Sequence, residues 1–142
     1  MAKRIILIVV VAGLVLFGLI QLVPLGRDHT NPPVVQGIQW DSPETRALAE
    51  RACFDCHSNE TAWPWYSNIA PSSWLLAMDV TEGRDHMNFS DWGGRPRSAD
   101  EIVRQIERGS MPPGRYLALH PEARLSDAEI AQLIAGFRTS IK

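Results

Sequence analysis

Two cysteines and a histidine stand together in this sequence, as Cys53, Cys56 and His57. This spacing fits the pattern C-x-x-C-H, in which two thiols bond to the vinyl groups of a haem and the histidine binds its iron. On a helix, positions three and four residues apart share one face, so these side chains can reach a single porphyrin. The sequence therefore predicts one haem c, attached covalently at Cys53 and Cys56, with His57 as the proximal iron ligand.

A C-x-x-C pair has two other common uses. A thioredoxin-like dithiol normally sits at the end of a strand in a βαβ pattern, and no such pattern precedes Cys53. A zinc site needs a second pair of ligands at short spacing, whereas His29, His86 and His120 are scattered. A pair of cysteines three positions apart also excludes a disulfide framework. We therefore favour haem over both alternatives.

Iron bound by one histidine has a sixth position, which a methionine thioether often occupies in electron-transfer cytochromes. Met111 follows Gly109, a typical helix-ending residue, and precedes two prolines that hold the chain in an extended loop. Met78 and Met87 lack this setting, and an isolated methionine more often fills a gap in a core. We predict Met111 as the distal iron ligand, with His120 as the alternative.

Four residues that follow the motif are predicted to contact the haem or its ligand. Trp63 and Trp65 are close enough in sequence to line the haem edge, and Tyr66 has a hydroxyl that can bind a propionate. Core packing is the alternative role for the tryptophans. The carbonyl of Pro71 or of its neighbours is expected to accept a hydrogen bond from the second ring nitrogen of His57.

The N-terminal segment predicts a membrane anchor. Residues 5–23 are apolar except for Gln21 and, at about 1.5 Å per residue, can span a bilayer as a helix. Lys3 and Arg4 precede this run, so the positive-inside tendency places the N-terminus in the cytoplasm and the rest of the chain outside. A cleaved signal peptide is the alternative, although no A-x-A pattern follows the run. We expect a single-pass helix in residues 1–23, a linker with prolines and glycines in residues 24–39 that lifts the domain from the lipid, and an exported haem-binding domain in residues 40–142.

Helix start and stop signals divide the exported part into four predicted helices. The first delivers the motif, and the last two each begin with a capping box of serine and glutamate. No stretch is typical of a strand, so the sequence predicts an all-α, small helical domain. The expected bounds are Ser42 to about Cys56, Ser72 or Ser73 to Gly83, Ser98 (with Glu101) to Gly109, and Ser126 (with Glu129) onward.

Three separated blocks resemble the bacterial haem-binding domain family of small cytochrome c-like proteins. The blocks are CFDCHSNETAWPWYSNIAP, HMNFSDW and GSMPPGRY, and with the terminal helix they cover about residues 40–137. The resemblance implies a single covalently bound haem, a cytochrome c-like α-helical fold and Met111 in the position of the family's M-P-P block. It does not imply a reaction.

Composition and the expected iron ligands reduce the number of functions to consider. The net charge is −2 with acidic and basic residues mixed along the chain, which argues against nucleic acid as a partner. A His/Met iron favours electron transfer at the outer face of the cytoplasmic membrane, with lipid and an unidentified redox protein as partners. The alternatives are a haem-based gas or redox sensor with a displaceable sixth ligand, and a peroxidase. Arg84 and His86 form no recognisable acid-base pair for the latter, so we predict a protein that is not an enzyme.

Overall fold

The computed structural model describes residues 1–94 and 96–141; Arg95 and Lys142, both in the predicted exported domain, lie outside the described residues. Within this part of the chain every regular element is helical, apart from one isolated β-bridge between Gln36 and Asp91. The all-α fold class is confirmed. The helices are α1 (Ala2–Ile20), α2 (Pro43–Ala52), α3 (Phe54–His57), α4 (Ser72–His86), α5 (Ala99–Glu107), α6 (Gly114–Leu119) and α7 (Asp127–Ser140), with 3₁₀ turns at Trp65–Asn68 and Pro121–Ala123.

The chain forms two compact units. The first consists of Met1–Thr30 and Trp63–Asp79, and the second of Asn31–Ala62 and Val80–Lys142. Helix α4 contributes its beginning to the first unit and its end to the second. The cysteine motif lies in the second unit.

Helix α1 is apolar after its first turn and is exposed up to Leu19. Its 19 residues include no buried position, and the helix is long and apolar enough to cross a membrane. At 1.5 Å per residue it extends about 28 Å, close to the ~30 Å thickness of a bilayer's hydrocarbon core. The basic residues Lys3 and Arg4 lie in its first turn.

The segment predicted as a linker, residues 24–39, makes specific contacts in each unit. In the first unit Gly26 adopts φ +72° and lies against the backbone of α4. In the second unit the amides of Val35 and Gln36 both donate to the carbonyl of Ser90, at 2.9 and 3.0 Å. The segment therefore makes backbone contacts within each unit, and its role as a spacer stays a prediction.

An aromatic cluster forms the core of the second unit. Phe89 is its centre, with the ring centroids of Trp40, Phe54 and Phe137 at 5.4, 5.4 and 5.9 Å and that of Trp92 at 6.0 Å. Aromatic pairs at such separations contribute about 0.5–1.5 kcal/mol each beyond the area they bury. Two of the five tryptophans thus have the core role that was the alternative to haem contact. Because Phe54 belongs to the cysteine motif, the cluster also attaches that motif to the core.

The predicted helix starts are confirmed for α2, α5 and α7. The side chain of Ser42 accepts a hydrogen bond from the backbone of α2 and caps it. Ser98 with Glu101, and Ser126 with Glu129, form the two capping boxes, each with both reciprocal bonds. Local hydrogen-bonding chemistry therefore determines where these helices begin.

Glu129 connects the cap of α7 to the end of α2. Its carboxylate accepts hydrogen bonds from the backbone amide of Ser126, at 2.7 Å, and from the guanidinium of Arg51. These bonds, the backbone one first, lower the pKa of Glu129 from 4.5 to about 2. A carboxyl group with a lowered folded-state pKa stabilises the fold fully above its unfolded pKa and loses that contribution as the pH falls through the folded one.

We expect Glu129→Gln to lower the free energy of unfolding at pH 7 and to flatten its dependence on pH between about 4.5 and 2. Urea unfolding at a series of pH values measures both effects. Glu101→Gln is the matched control, because it changes the same position of the α5 capping box and leaves Arg51 untouched. Parallel stability curves for the parent and Glu129→Gln across this range would contradict the prediction.

Candidate functional site

The cysteine motif occupies a single helical turn after a break. Helix α2 ends at Ala52, and Cys53 leaves helical geometry, with φ −129° and ψ −33°. The carbonyl of Cys53 then accepts the amides of Cys56 and His57, at 3.3 and 3.0 Å, and so closes the turn. The predicted continuous helix from Ser42 to about Cys56 is therefore wrong at its end.

The break at Cys53 changes which side chains face the core. In α2 the buried positions are Thr45, Leu48, Ala49 and Ala52, and an unbroken helix would bring position 55, an aspartate, onto that face. After the break it is Phe54 that is buried. The motif therefore places an apolar ring in the core and keeps its carboxylate out of it.

His57 is held by backbone carbonyls of α4 and of the residue after it. Its Nδ1–H donates to the carbonyl oxygens of Gly83, at 2.9 Å, and Met87, at 3.2 Å. Because carbonyls only accept, Nδ1 carries the proton and Nε2 carries the lone pair that can bind a metal. Burial lowers the pKa of His57, and the two backbone bonds oppose this. The expectation that the carbonyl of Pro71 or of its neighbours supplies the acceptor is wrong, because Nδ1 donates to Gly83 and Met87 instead. The Pro71 carbonyl accepts amides of α4's first turn.

Gly83 has a different role from the helix stop predicted for it. Helix α4 continues past it to His86. A Cβ on Gly83 would overlap the carbonyl group of Cys56, so the missing side chain permits α4 to lie against the motif. A glycine inside a helical pattern can signal such a close approach, and this was the signal available in the sequence.

The two thiols lie where a cofactor could be bonded. Neither Cys53 nor Cys56 is in a disulfide, and both are half-buried. Burial, with a smaller effect from Cys56, raises the pKa of Cys53 to about 12. Among residues 1–94 and 96–141 no group of three or more His, Cys, Asp or Glu side chains is arranged to hold a metal ion, which leaves the zinc alternative without a ligand set there. Two thiols beside an imidazole whose Nδ1 is already bonded fit a covalently attached haem.

Asp55, the other residue between the cysteines, connects the motif to α6. Its carboxylate accepts hydrogen bonds from the hydroxyl of Tyr116, at 2.7 Å, and from the amide of Ala62, at 2.9 Å. Burial, followed by the bond to Asp55, raises the pKa of Tyr116. The Tyr116 ring stacks on His120 with centroids 4.0 Å apart. The sequence did not predict α6 or this contact, since nothing local relates two residues 61 positions apart.

Arg84 fixes the chain that follows His57. Its guanidinium donates to the carbonyl of Ser58 at 2.7 Å, and to Asn31 Oδ1 and Thr61 Oγ1, each at 2.9 Å. Desolvation lowers the pKa of Arg84. In the described residues this arginine therefore stabilises the backbone that follows His57.

Met111 lies in the predicted loop. Helix α5 ends at Glu107, Gly109 adopts φ +67°, and the Met111 amide bonds to the carbonyl of Gln105 at 3.3 Å. The Met111 side chain is 42% exposed, whereas Met87 is buried in the core. The loop setting is confirmed, and iron ligation by Met111 stays a prediction.

The predicted aromatic haem contacts belong to the first unit, whereas the motif belongs to the second. Trp63 stacks on His29 with ring centroids 4.6 Å apart. Trp65 is 75% exposed and meets Tyr66 edge to face. The haem contacts predicted for Trp63, Trp65 and Tyr66 therefore stay predictions.

Comparison with known proteins supports the reading of the motif. The sequence profile described as "Haem-binding domain" matches residues 15–139. The cytochrome c peroxidase Ccp of Escherichia coli (strain K12) is 31% identical over 98 residues, which cover 62% of this chain and 21% of that protein. The chain thus spans about a fifth of the length of this relative. No solved structure gives a significant match.

The close approach at Gly83 makes a testable prediction about stability. Replacing glycine by alanine in a helix interior normally stabilises a protein by about 1 kcal/mol. At Gly83 we expect the opposite sign, a loss of about 1–3 kcal/mol, because the new methyl group overlaps the Cys56 carbonyl. Gly114→Ala, at the start of α6 with no atom within 4 Å of its Cβ, is the control and should be nearly neutral. Chemical denaturation measures both variants, and a Gly83→Ala variant as stable as the parent would refute the close approach.

Proposed function

The chain belongs to the haem-binding domain family, and on that premise we propose that it is a membrane-anchored monohaem c-type cytochrome that transfers electrons at the outer face of the cytoplasmic membrane. The observation that carries the proposal is the hydrogen bond from Nδ1 of His57 to the Gly83 carbonyl, because this bond leaves Nε2 as the nitrogen that can bind iron. The neighbouring Cys53 and Cys56 form no disulfide. When bound, the haem supplies an iron that takes up and releases one electron.

Cys53 and Cys56 hold the haem covalently. Each thiol would form a thioether with one vinyl group, its S–H adding across the C=C and its hydrogen going to the other vinyl carbon. His57 would bind iron through Nε2, and its bonds to the Gly83 and Met87 carbonyls hold the ring in one tautomer and increase its basicity.

Met111 is the proposed distal ligand. Its thioether is a soft ligand that favours ferrous iron and so raises the reduction potential. The Pro112–Pro113 pair that follows it prevents α5 from resuming and keeps the sulfur on a short loop. A sensor is the second candidate, because a ligand that is 42% exposed can be displaced by a small gas.

Peroxidase activity is a weaker candidate. The similarity to a cytochrome c peroxidase covers only 21% of that protein. A peroxidase needs a distal acid-base pair, and Arg84 is instead bonded to the Ser58 carbonyl beside the proximal histidine. An open coordination site and turnover of hydrogen peroxide by the purified protein would favour this candidate over the carrier.

Helix α1 is the proposed anchor. Lys3 and Arg4 at its start favour a cytoplasmic N-terminus, with the haem domain on the outer side. An electron carrier in this position meets donors and acceptors in or beside the same membrane, so we propose a redox protein of that membrane as its partner.

Covalent attachment predicts that haem stays on the polypeptide after denaturation and acid-acetone extraction. We expect a haem-stained band in the membrane fraction that survives a high-salt wash, and no such stain for a variant in which Cys53 and Cys56 are both alanine. Haem staining of a denaturing gel measures the result. A colourless extracted chain would overturn the c-type assignment.

Methionine ligation predicts a weak near-infrared sulfur-to-iron band in the oxidised protein. Met111→Ala should remove this band, lower the reduction potential and open the iron to carbon monoxide. Met78→Ala is the matched control, since Met78 is similarly exposed and should leave the band intact. Retention of the band in Met111→Ala would exclude Met111. A low-spin parent with no band would instead indicate ligation by two histidines, with His120 as the second.

A further inference from the structure

The chain folds back as soon as it leaves α1. Gln21 follows the last residue of α1, and its side chain forms two hydrogen bonds with one residue: Nε2 donates to the carbonyl of Ala70 and Oε1 accepts the amide of Ala70, both at 2.9 Å. Arg27 also donates to Gln21 Oε1, at 3.1 Å. Farther along, a Cβ on Gly26 would overlap the carbonyl of Ser73. Residues 21–26 are therefore bound to the 70–73 backbone within the first unit.

These bonds set the depth of Ala70 relative to a membrane that α1 spans. With Lys3 and Arg4 at one surface of the membrane, the apolar part of α1, residues 5–20, extends about 24 Å and brings Gln21 close to the opposite boundary between lipid and water. A primary amide at that depth is costly unless it is hydrogen-bonded, and Ala70 satisfies both its donor and its acceptor. Ala70 therefore lies at the same boundary.

Trp65 is close to Ala70 in the chain. It begins the 3₁₀ turn Trp65–Asn68, which rises about 2 Å per residue, and Ile69 after the turn is extended, so Trp65 lies within roughly 13 Å of Ala70. Its side chain is 75% exposed, and Leu22 and Leu25 of the same unit are 78% and 64% exposed. Tryptophan is enriched at the interface between membrane and water, where its ring is apolar and its N–H can remain hydrated.

We propose that Leu22, Leu25 and Trp65, the interfacial set, make a second contact with the membrane that α1 spans, within its headgroup region. This inference rests on the membrane anchor of the proposed function, and it replaces the haem contact expected of Trp65. The set belongs to the unit that contains α1, is bound to the end of α1 through Gln21, and consists of the side chains that this depth favours. The first unit is then held against the lipid and does not swing freely on a tether.

The test uses the full-length haem-loaded protein in vesicles of phosphatidylcholine and phosphatidylglycerol. A small fraction of the lipid carries a photoactivated diazirine close to its headgroup, and mass spectrometry locates the lipid adducts. We expect adducts at the end of α1 and at Trp65. The control variant changes Leu119, a leucine of α6 that is 62% exposed and belongs to the second unit. Trp65→Ser should reduce adducts in Trp65–Asn68 several-fold and leave those on α1 unchanged, and Leu119→Ser should change neither.

The outcomes separate this inference from the proposed function. Adducts on α1 with none on Trp65 would overturn the interfacial contact and leave the anchor standing. An absence of adducts on α1 would overturn the anchor and the inference together, while the haem stain still reports independently on the cofactor. Shielding of Trp65 by a cross-linked protein in native membranes, with no lipid adduct, would assign the surface to a protein partner and refute the lipid contact.

Discussion

Helix α4 and the cysteine motif lie against each other only because Gly83 has no side chain. At this approach the Gly83 carbonyl reaches Nδ1 of His57, and the Met87 carbonyl adds a second acceptor. The imidazole is thereby restricted to one tautomer and one orientation, with Nε2 as the nitrogen able to bind iron. The same helix brings Arg84 to the Ser58 carbonyl, so a single backbone approach positions both His57 and the chain that follows it.

The cysteine motif is also attached to a hydrophobic core that is formed mainly by other parts of the chain. Phe54 contributes one ring to a cluster whose other members, centred on Phe89, come from residues distant in the sequence. Apolar side chains of α2, α5 and α7 complete this core. The second unit therefore has its own packed interior, and the residues proposed to hold the haem are attached to its edge. A rigid support of this kind keeps a metal ligand in place when the charge of the metal changes.

The sequence predicts the structure most accurately where bonds between neighbouring residues determine it. The caps at Ser42, Ser98 and Ser126 depend on bonds between residues three apart, and all three were predicted correctly. The predictions were wrong where contacts between distant segments determine the structure. Local rules predict that Gly83 ends a helix, but α4 continues past it and the glycine permits a close approach to Cys56. An acceptor for His57 likewise comes from α4 and not from Pro71. The motif was recognisable from its spacing, whereas its support by Tyr116 and Arg84 depends on tertiary contacts that spacing does not encode.

The two residues between the cysteines have a consequence for protein engineering. Phe54 is buried among aromatic rings, and Asp55 accepts hydrogen bonds from Tyr116 and Ala62. These neighbouring positions therefore require different types of side chain. Exchanging their order would bury a carboxylate and expose a phenyl ring, although the pattern of cysteines and histidine would be unchanged. The five-residue motif of this protein therefore does not suffice by itself when it is moved into another helical protein. The new protein must also supply an apolar pocket for the first intervening residue and hydrogen-bond donors for the second.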